Sequence, residues 1–286
     1  MSDAKRFSEF SWLVVEEAHP LDVEPGKRAI PLLFMTFSGD WGQIEPHQER
    51  FPTAVEAALF AVLLAPWEDW VEEPSINWCG FSVPWVYTLS DDIFVRPARP
   101  PSPDTLSWGP YMETPERLDL NDAAALEAPK SLNDKVWSDL VSAHQSPLFK
   151  TPIAHFLVRA FLAEPLDEFL AHVFTIEAAL GLWKEPKIPG LKRQPSATDR
   201  MVARVSALLG EKAAGEDYRH LFKLRSEFVH GRKMEAIPGK ERIAARRLAR
   251  RVVNGIIDAT LTDPRPQSRE DYLGNLLARG LPYLRN

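Results

Sequence analysis

Leu224-Arg225-Ser226-Glu227-Phe228-Val229-His230-Gly231 ends a run of helical periodicity that begins near Glu216. With successive residues ~100° apart on a helix, Tyr218, Leu221, Phe222, Leu224, Phe228 and Val229 share one broad arc, and Arg225 falls inside it. A guanidinium does not escape burial by deprotonating, so an arginine on an apolar stripe needs a carboxylate, a carbonyl, an interface or a ligand. Residues 166–183 show the matching anomaly: Phe169, Leu170, Val173, Phe174, Ile176 and Leu180 fall together, with Glu177 in their midst. The pattern predicts a Glu177–Arg225 pair across two packed helices. That pair is either a buried salt bridge that fixes helix register or a carboxylate that holds a catalytic arginine in place. His230 lies ~140° around the helix from Arg225. Gly231 suits the position just past a helix C-terminus, which puts His230 at the fraying end, where its ring can turn toward a groove. Ser226, four residues earlier, can share its face. A histidine so placed is either a partner for the helix dipole or a general acid–base group.

Around this stretch the chain changes texture. Eight of the nine tryptophans and 16 of the 25 prolines lie before Lys150. Prolines at that density interrupt regular elements, so short strands and loops are expected there. Residues 10–15 and 30–37 read as strands and 54–64 as a short buried helix. Residues 81–87 and 93–96 flank a turn at Ser90-Asp91-Asp92, and 97–115 form an extended, proline-rich loop. From about Leu132 helices take over, at 133–143, 152–162, 166–183, 197–209, 216–230, 240–261 and 268–279. A basic loop spans 184–195, and Gly210 stops the helix before it. The fold class that follows is α+β, with an N-terminal mixed α/β domain (1–131) and an all-α helical domain (132–286). The tryptophans serve core packing and loop anchoring or form a stacking surface, and the acidic charge around them disfavours a nucleic-acid backbone.

The net charge of −6 conceals a division. From Lys150 onward there are 24 basic against 16 acidic residues, and before it 10 against 24. A basic half attracts a phosphodiester backbone through local charge even when the whole chain is acidic. In the helix at 240–261, Arg242, Arg246, Arg247, Arg250 and Arg251 occupy one side of the wheel, opposite Leu248, Ala249, Val252 and Ile256. That face is either solvated or neutralises several phosphates with steep salt dependence. Lys192 and Arg193 in the basic loop, with Arg242, Arg246, Arg247 and Arg250, are the candidate RNA contacts.

Arg225 and His230, separated by four residues and followed by Gly231, resemble the R-x4–6-H signature of HEPN domains (higher eukaryotes and prokaryotes nucleotide-binding). The glutamate-bearing apolar helix (FTIEAAL), the basic loop, the amphipathic helix and YRHLFKLRSEFVHG together resemble the Apea-like branch, over roughly residues 150–261. The resemblance implies a helical bundle that dimerises so that two motifs meet in one cleft. It also implies a metal-independent endoribonuclease of toxin or anti-phage defence systems, acting on RNA, with single-stranded RNA the expected substrate. On that basis His230 is the general acid–base near the ribose 2′-hydroxyl, and Arg225 stabilises the scissile phosphate or orients the histidine. Ser226 stands where many active members carry Asn, Asp or His. The alternative is a non-catalytic dimerisation or nucleic-acid-binding module.

Other chemistries lack their residues. There is no HExxH, no clustered Cys/His set, no GxSxG and no G-x4-GK-[ST]; Lys240 follows Gly239 without the earlier glycine of a P-loop. No metal and no cofactor is expected. The single cysteine, Cys79, excludes an internal disulfide framework. No apolar run reaches ~18 residues, and the longest, 54–66, contains Glu56, so neither a membrane span nor a signal segment is expected and the location read from the sequence is cytoplasmic. The acidic N-terminal half is assigned a trigger-sensing or partner-recruiting role.

Overall fold

The computed structural model describes residues 53–70, 122–161, 163, 165–188, 190, 192–231 and 236–284. The chain divides into two compact units, residues 1–58 with 79–117 and residues 59–78 with 118–286. The second is a helical assembly. Its helices are α1 (Thr53–Leu63, whose first six residues belong to the other unit), α2 (Trp67–Trp70), α3 (Asp122–Ser131), α4 (Asp134–His144), α5 (Ile153–Phe161), α6 (Pro165–Leu180), α7 (Ala197–Leu209), α8 (Lys212–Val229), α9 (Gly239–Leu261) and α10 (Arg269–Gly280). Single 3-10 turns at Pro147–Phe149 and Leu281–Leu284 complete the described elements.

Two helices are the axis of this unit. In α6, Phe169, Ala171, His172, Val173, Thr175, Ile176, Ala179 and Leu180 are all buried, and in α7 every residue from Arg200 to Ala207 is. Burial on all sides identifies helices covered by others rather than lying at a surface. α5 and α9 pack on α6, while α8 and α10 pack on α7. Small residues permit the close crossings on α7. A Cβ on Gly215 of α8 would lie 2.8 Å from the Val202 carbonyl oxygen, and one on Gly280 of α10 would lie 2.9 Å from the Ala203 Cα. Larger side chains at either position would push the helices apart.

Local signals set the boundaries. Asn133 accepts from the Val136 N–H at 3.0 Å and starts α4. Ser196 and Asp199 form a reciprocal capping box at the start of α7, which Gly210 ends with φ +71°. Ser268 opens α10 by accepting from Asp271 N–H. α6 stops at Leu180 rather than at the expected 183, and α8 begins at Lys212, four residues before the expected start.

The expected mixed α/β character is corrected. The described residues are 77% helical with no strand among them. The part of the N-terminal half that is described adds helices to the helical packing: Trp70 of α2 is buried against Ala65 and Ala124, with Trp67 and Ala128 around them. The segments read as strands, 10–15, 30–37, 81–87 and 93–96, and the loop 97–115 lie outside the described residues. The boundary expected at 131/132 falls between α3 and α4, inside the helical unit, whose chain also takes in residues 59–78.

Candidate functional site

The Glu177 and Arg225 carboxylate and guanidinium face each other across α6 and α8, with Oε2 and Nη2 4.0 Å apart. Both side chains are part-exposed, 29% for Glu177 and 25% for Arg225. The Arg225 guanidinium carbon also stands over two rings, Phe174 of α6 at 5.4 Å and Phe222 of α8 at 5.6 Å. Each ring lies one turn before the charged residue on its own helix, so one helical turn supplies both charge and platform. Partial burial raises the Glu177 carboxyl above its usual range, against the opposing charge of Arg225. Burial, then the charge of Glu177, pushes the Tyr218 phenol upward, so Tyr218 completes this cluster as a neutral hydroxyl. Arg225 Nε is buried and donates to no described acceptor.

α8 ends as its sequence requires. His230 is the C-cap residue, its N–H bonded to the Ser226 carbonyl at 3.1 Å, and Gly231 follows with φ +66°. Gly231 takes the left-handed conformation that a side chain would strain. The His230 side chain is exposed, and no hydrogen bond or ion pair ties it to Arg225 or Glu177. Ser226 is half-buried, and Val229 beside His230 is an exposed apolar residue.

The arginine face of α9 is turned inward. Arg242 and Arg246 both donate to Glu168 of α6, Arg242 at 3.0 Å and Arg246 in direct contact. Arg250 donates through Nε and Nη2 to Glu68 of α2, and Arg247 reaches Asp69 at 2.9 Å. Arg251 meets Glu211 at 2.9 Å. Arg242, Arg246 and Arg250 are therefore corrected as RNA contacts, because they are buried and their charge is matched by internal carboxylates. Arg247 keeps a part-exposed side chain although it too is paired. Burial lowers Arg246 to about 10, with Glu168 opposing the shift. His172, fully buried beside Arg246, is held well below its ordinary pKa by burial first and then by that cation.

Lys192 and Arg193 are exposed, on a loop that is fixed from beneath. Arg204, fully buried, grips Glu185 through both terminal nitrogens at 2.6 and 2.8 Å and donates to the Leu180 and Leu273 carbonyls, each at 3.1 Å. Arg200 adds bonds to Pro186 O, Gln194 and Glu185. Burial alone would raise Glu185, but Arg204 and Arg200 outweigh it and leave the carboxyl below its usual range. Gln194 closes the loop by pairing with both backbone groups of Ile188.

Among the sequence-selected residues, then, Glu177 and Arg225 meet, His230 and Ser226 share the end of the same helix, and Arg242, Arg246 and Arg250 belong to the interior. Sequence reasoning missed Phe174, Phe222 and Tyr218 as the walls around Arg225, although an aromatic three residues before each charge was a visible signal. Among the described residues no helix is long and apolar enough to cross a membrane, and no group of three or more His, Cys, Asp or Glu is gathered in metal-binding geometry. Comparison with family models, with curated proteins and with solved structures finds no match for this chain.

Proposed function

We propose that the chain is a metal-independent endoribonuclease of the HEPN type, acting as a homodimer in a toxin or anti-phage defence setting, with Arg225 and His230 of two copies forming a composite site. One observation carries this reading: Arg225 is positioned but not saturated. Two ring faces and a carboxylate at 4.0 Å orient its fork, yet none of its nitrogens donates a hydrogen bond to a described acceptor, and its Nε is buried. A phosphate supplies the paired acceptors that such a fork matches. The proposed reaction is a transesterification. The ribose 2′-oxygen bonds to phosphorus as one His230 removes its proton, and the bond from phosphorus to the 5′-oxygen breaks as a protonated His230 from the second copy delivers a proton to it. Arg225 neutralises the charge that builds on the non-bridging oxygens.

The test is cleavage of single-stranded RNA by the full chain in excess chelator. His230→Ala and Arg225→Ala are each expected to lower the rate by about 10²–10⁴-fold, and a 2′-deoxy residue at the scissile position to block it. Cleavage that continues unchanged in either variant removes the site assignment. A second reading, a non-catalytic dimerisation or nucleic-acid-binding module, draws on the inward-facing arginines of α9, which leave fewer cations for phosphate. Absence of cleavage under any trigger, with dimerisation retained in His230→Ala, would favour it.

A further inference from the structure

Trp183, three residues beyond the end of α6, is 99% exposed. An indole left wholly in water forgoes one of the largest burial gains available to a side chain. It borders a cavity of about 370 Å³ whose wall also carries Lys150, Thr151, Gln267, Ser268 and Arg269. That size lies in the range of roughly 300–1,000 Å³ typical of small-molecule sites.

The wall carries two cations, Lys150 and Arg269, and one anion, Glu270. Arg269 is more than nine-tenths buried, and its guanidinium donates only to carbonyls, Leu148 O at 2.8 Å, Ala178 O at 2.6 Å and Gly181 O at 3.1 Å. Burial lowers it to about 10, which leaves it a cation at neutral pH. No described carboxylate comes within ion-pair distance of it. Lys150 at the rim and Lys184 beside Trp183 are both exposed. Glu270 lines the cavity as an anion: it accepts from the Ser268 hydroxyl at 3.3 Å and its charge acts on Arg269, so Lys150 is the exposed cation of the wall. An exposed aromatic platform, the exposed Lys150 and the hydroxyl and amide groups of Thr151, Ser268 and Gln267 on the same wall match a ligand that is aromatic at one end and anionic at the other.

We propose that this cavity holds one nucleotide of a single-stranded RNA, its base stacked on Trp183 and its phosphate on Lys150. An unpaired strand is required, because a base within a duplex has both faces stacked already. The proposal rests on the RNA reading of the Arg225–His230 site and gives that substrate a second point of attachment.

The experiment measures anisotropy of a labelled 12-nucleotide oligoadenylate bound to the full chain carrying His230→Ala, which prevents turnover. Adding Trp183→Ala is expected to weaken binding about 5- to 150-fold, and adding Trp183→Phe to restore most of it. Adding Lys150→Ala should reduce the magnitude of the slope of log affinity against log salt by ~0.7. An abasic ribose-phosphate oligomer should bind the Trp183→Ala protein as it binds its parent. Because the indole touches solvent on all sides, the thermal midpoint should be unchanged. RNA binding that survives Trp183→Ala unaltered overturns this site alone and leaves the functional reading standing. If that variant instead changes the sedimentation mass, Trp183 is a protein contact and the site is equally overturned. No RNA binding by any form removes both.

Discussion

Glu168→Gln isolates what the inward-facing arginines contribute. Glu168 is 3% exposed and accepts from both Arg242 and Arg246, the latter 1% exposed. The substitution keeps shape and removes the only carboxylate these two guanidiniums share at hydrogen-bonding distance among the described residues. It leaves two like charges in a low-dielectric interior. Breaking a buried pair costs about 3–5 kcal/mol, and the charge of Glu68, which also acts on Arg246, places this case toward the lower end. For a unit of this size that corresponds to a fall in thermal midpoint of about 6–20 °C. Asp69→Asn is the control. Asp69 is 50% exposed and pairs with the part-exposed Arg247 at 2.9 Å and more distantly with Arg250 at 3.5 Å, which keeps Glu68, so solvent screening holds its loss to about 1 kcal/mol. Urea unfolding of the full chain, followed by helical ellipticity, measures both. A third protein, with Glu168→Leu, Arg242→Met and Arg246→Met together, should recover most of the stability, because apolar groups of similar volume avoid the desolvation that the ions bear. If Glu168→Gln costs no more than Asp69→Asn, the argument that α9 turns its charge inward for structural reasons is wrong.

Acid should weaken the fold through His172. Its folded pKa lies well below the unfolded value of about 6.5, so the unfolded chain takes up the proton first. The stability from keeping it neutral is complete above about pH 6.5 and is lost as pH falls from there through the folded pKa. The loss reaches up to about 2 kcal/mol by pH 5. Urea midpoints compared at pH 7.5 and pH 5.0 should show the decline in the parent and a flatter one in His172→Gln, whereas equal slopes would refute the assignment. For RNA binding, Lys192→Ala with Arg193→Ala should reduce the salt slope by ~1.4 without moving the thermal midpoint, two phosphates at ~0.7 each. Arg250→Ala should do the reverse, lowering the midpoint. A salt slope unchanged by the loop double variant would remove Lys192 and Arg193 from the interface.

Helices were legible in this sequence wherever apolar spacing and caps agreed. Residues 197–209 were read correctly to the residue, because Ser196 and Gly210 mark both ends. Residues 122–131 were missed: Pro129 stands inside that helix, and its mean hydropathy is nearly neutral. The Glu177–Arg225 contact was legible because each charge interrupts an otherwise apolar stripe. The fate of the α9 arginines was not. On a wheel, Arg242, Arg246 and Arg250 look like one solvated or phosphate-binding face, and nothing along the helix reveals that Glu168 lies 74 positions before Arg242 or that Glu68 lies 182 before Arg250. Periodicity identifies which residues share a face. It carries no information on whether that face meets water or a carboxylate contributed by distant sequence.

The same contrast separates Arg225 from Arg204 and Arg250. Arg204 directs its fork to two carbonyls and both oxygens of Glu185, and Arg250 directs two nitrogens to Glu68. These forks are occupied by the protein, and their role ends with holding helices and loops together. Arg225 has a carboxylate no nearer than 4.0 Å and a buried Nε that donates to no described group. A buried donor without an acceptor costs about 1–3 kcal/mol, and the part-exposed pair with Glu177 returns at most about 1 kcal/mol. The two ring faces return about 0.5–1 kcal/mol each, so the arrangement is near neutral for stability while it fixes the direction of the guanidinium. An acceptor from outside the protein reaches the part-exposed end of the fork rather than the buried Nε, and a phosphate is the acceptor whose geometry matches that end. The case for chemistry at this site therefore begins with Arg225. In the proposed reaction His230 takes its role from standing exposed at the end of the same helix, one turn beyond Ser226, where Gly231 releases the chain.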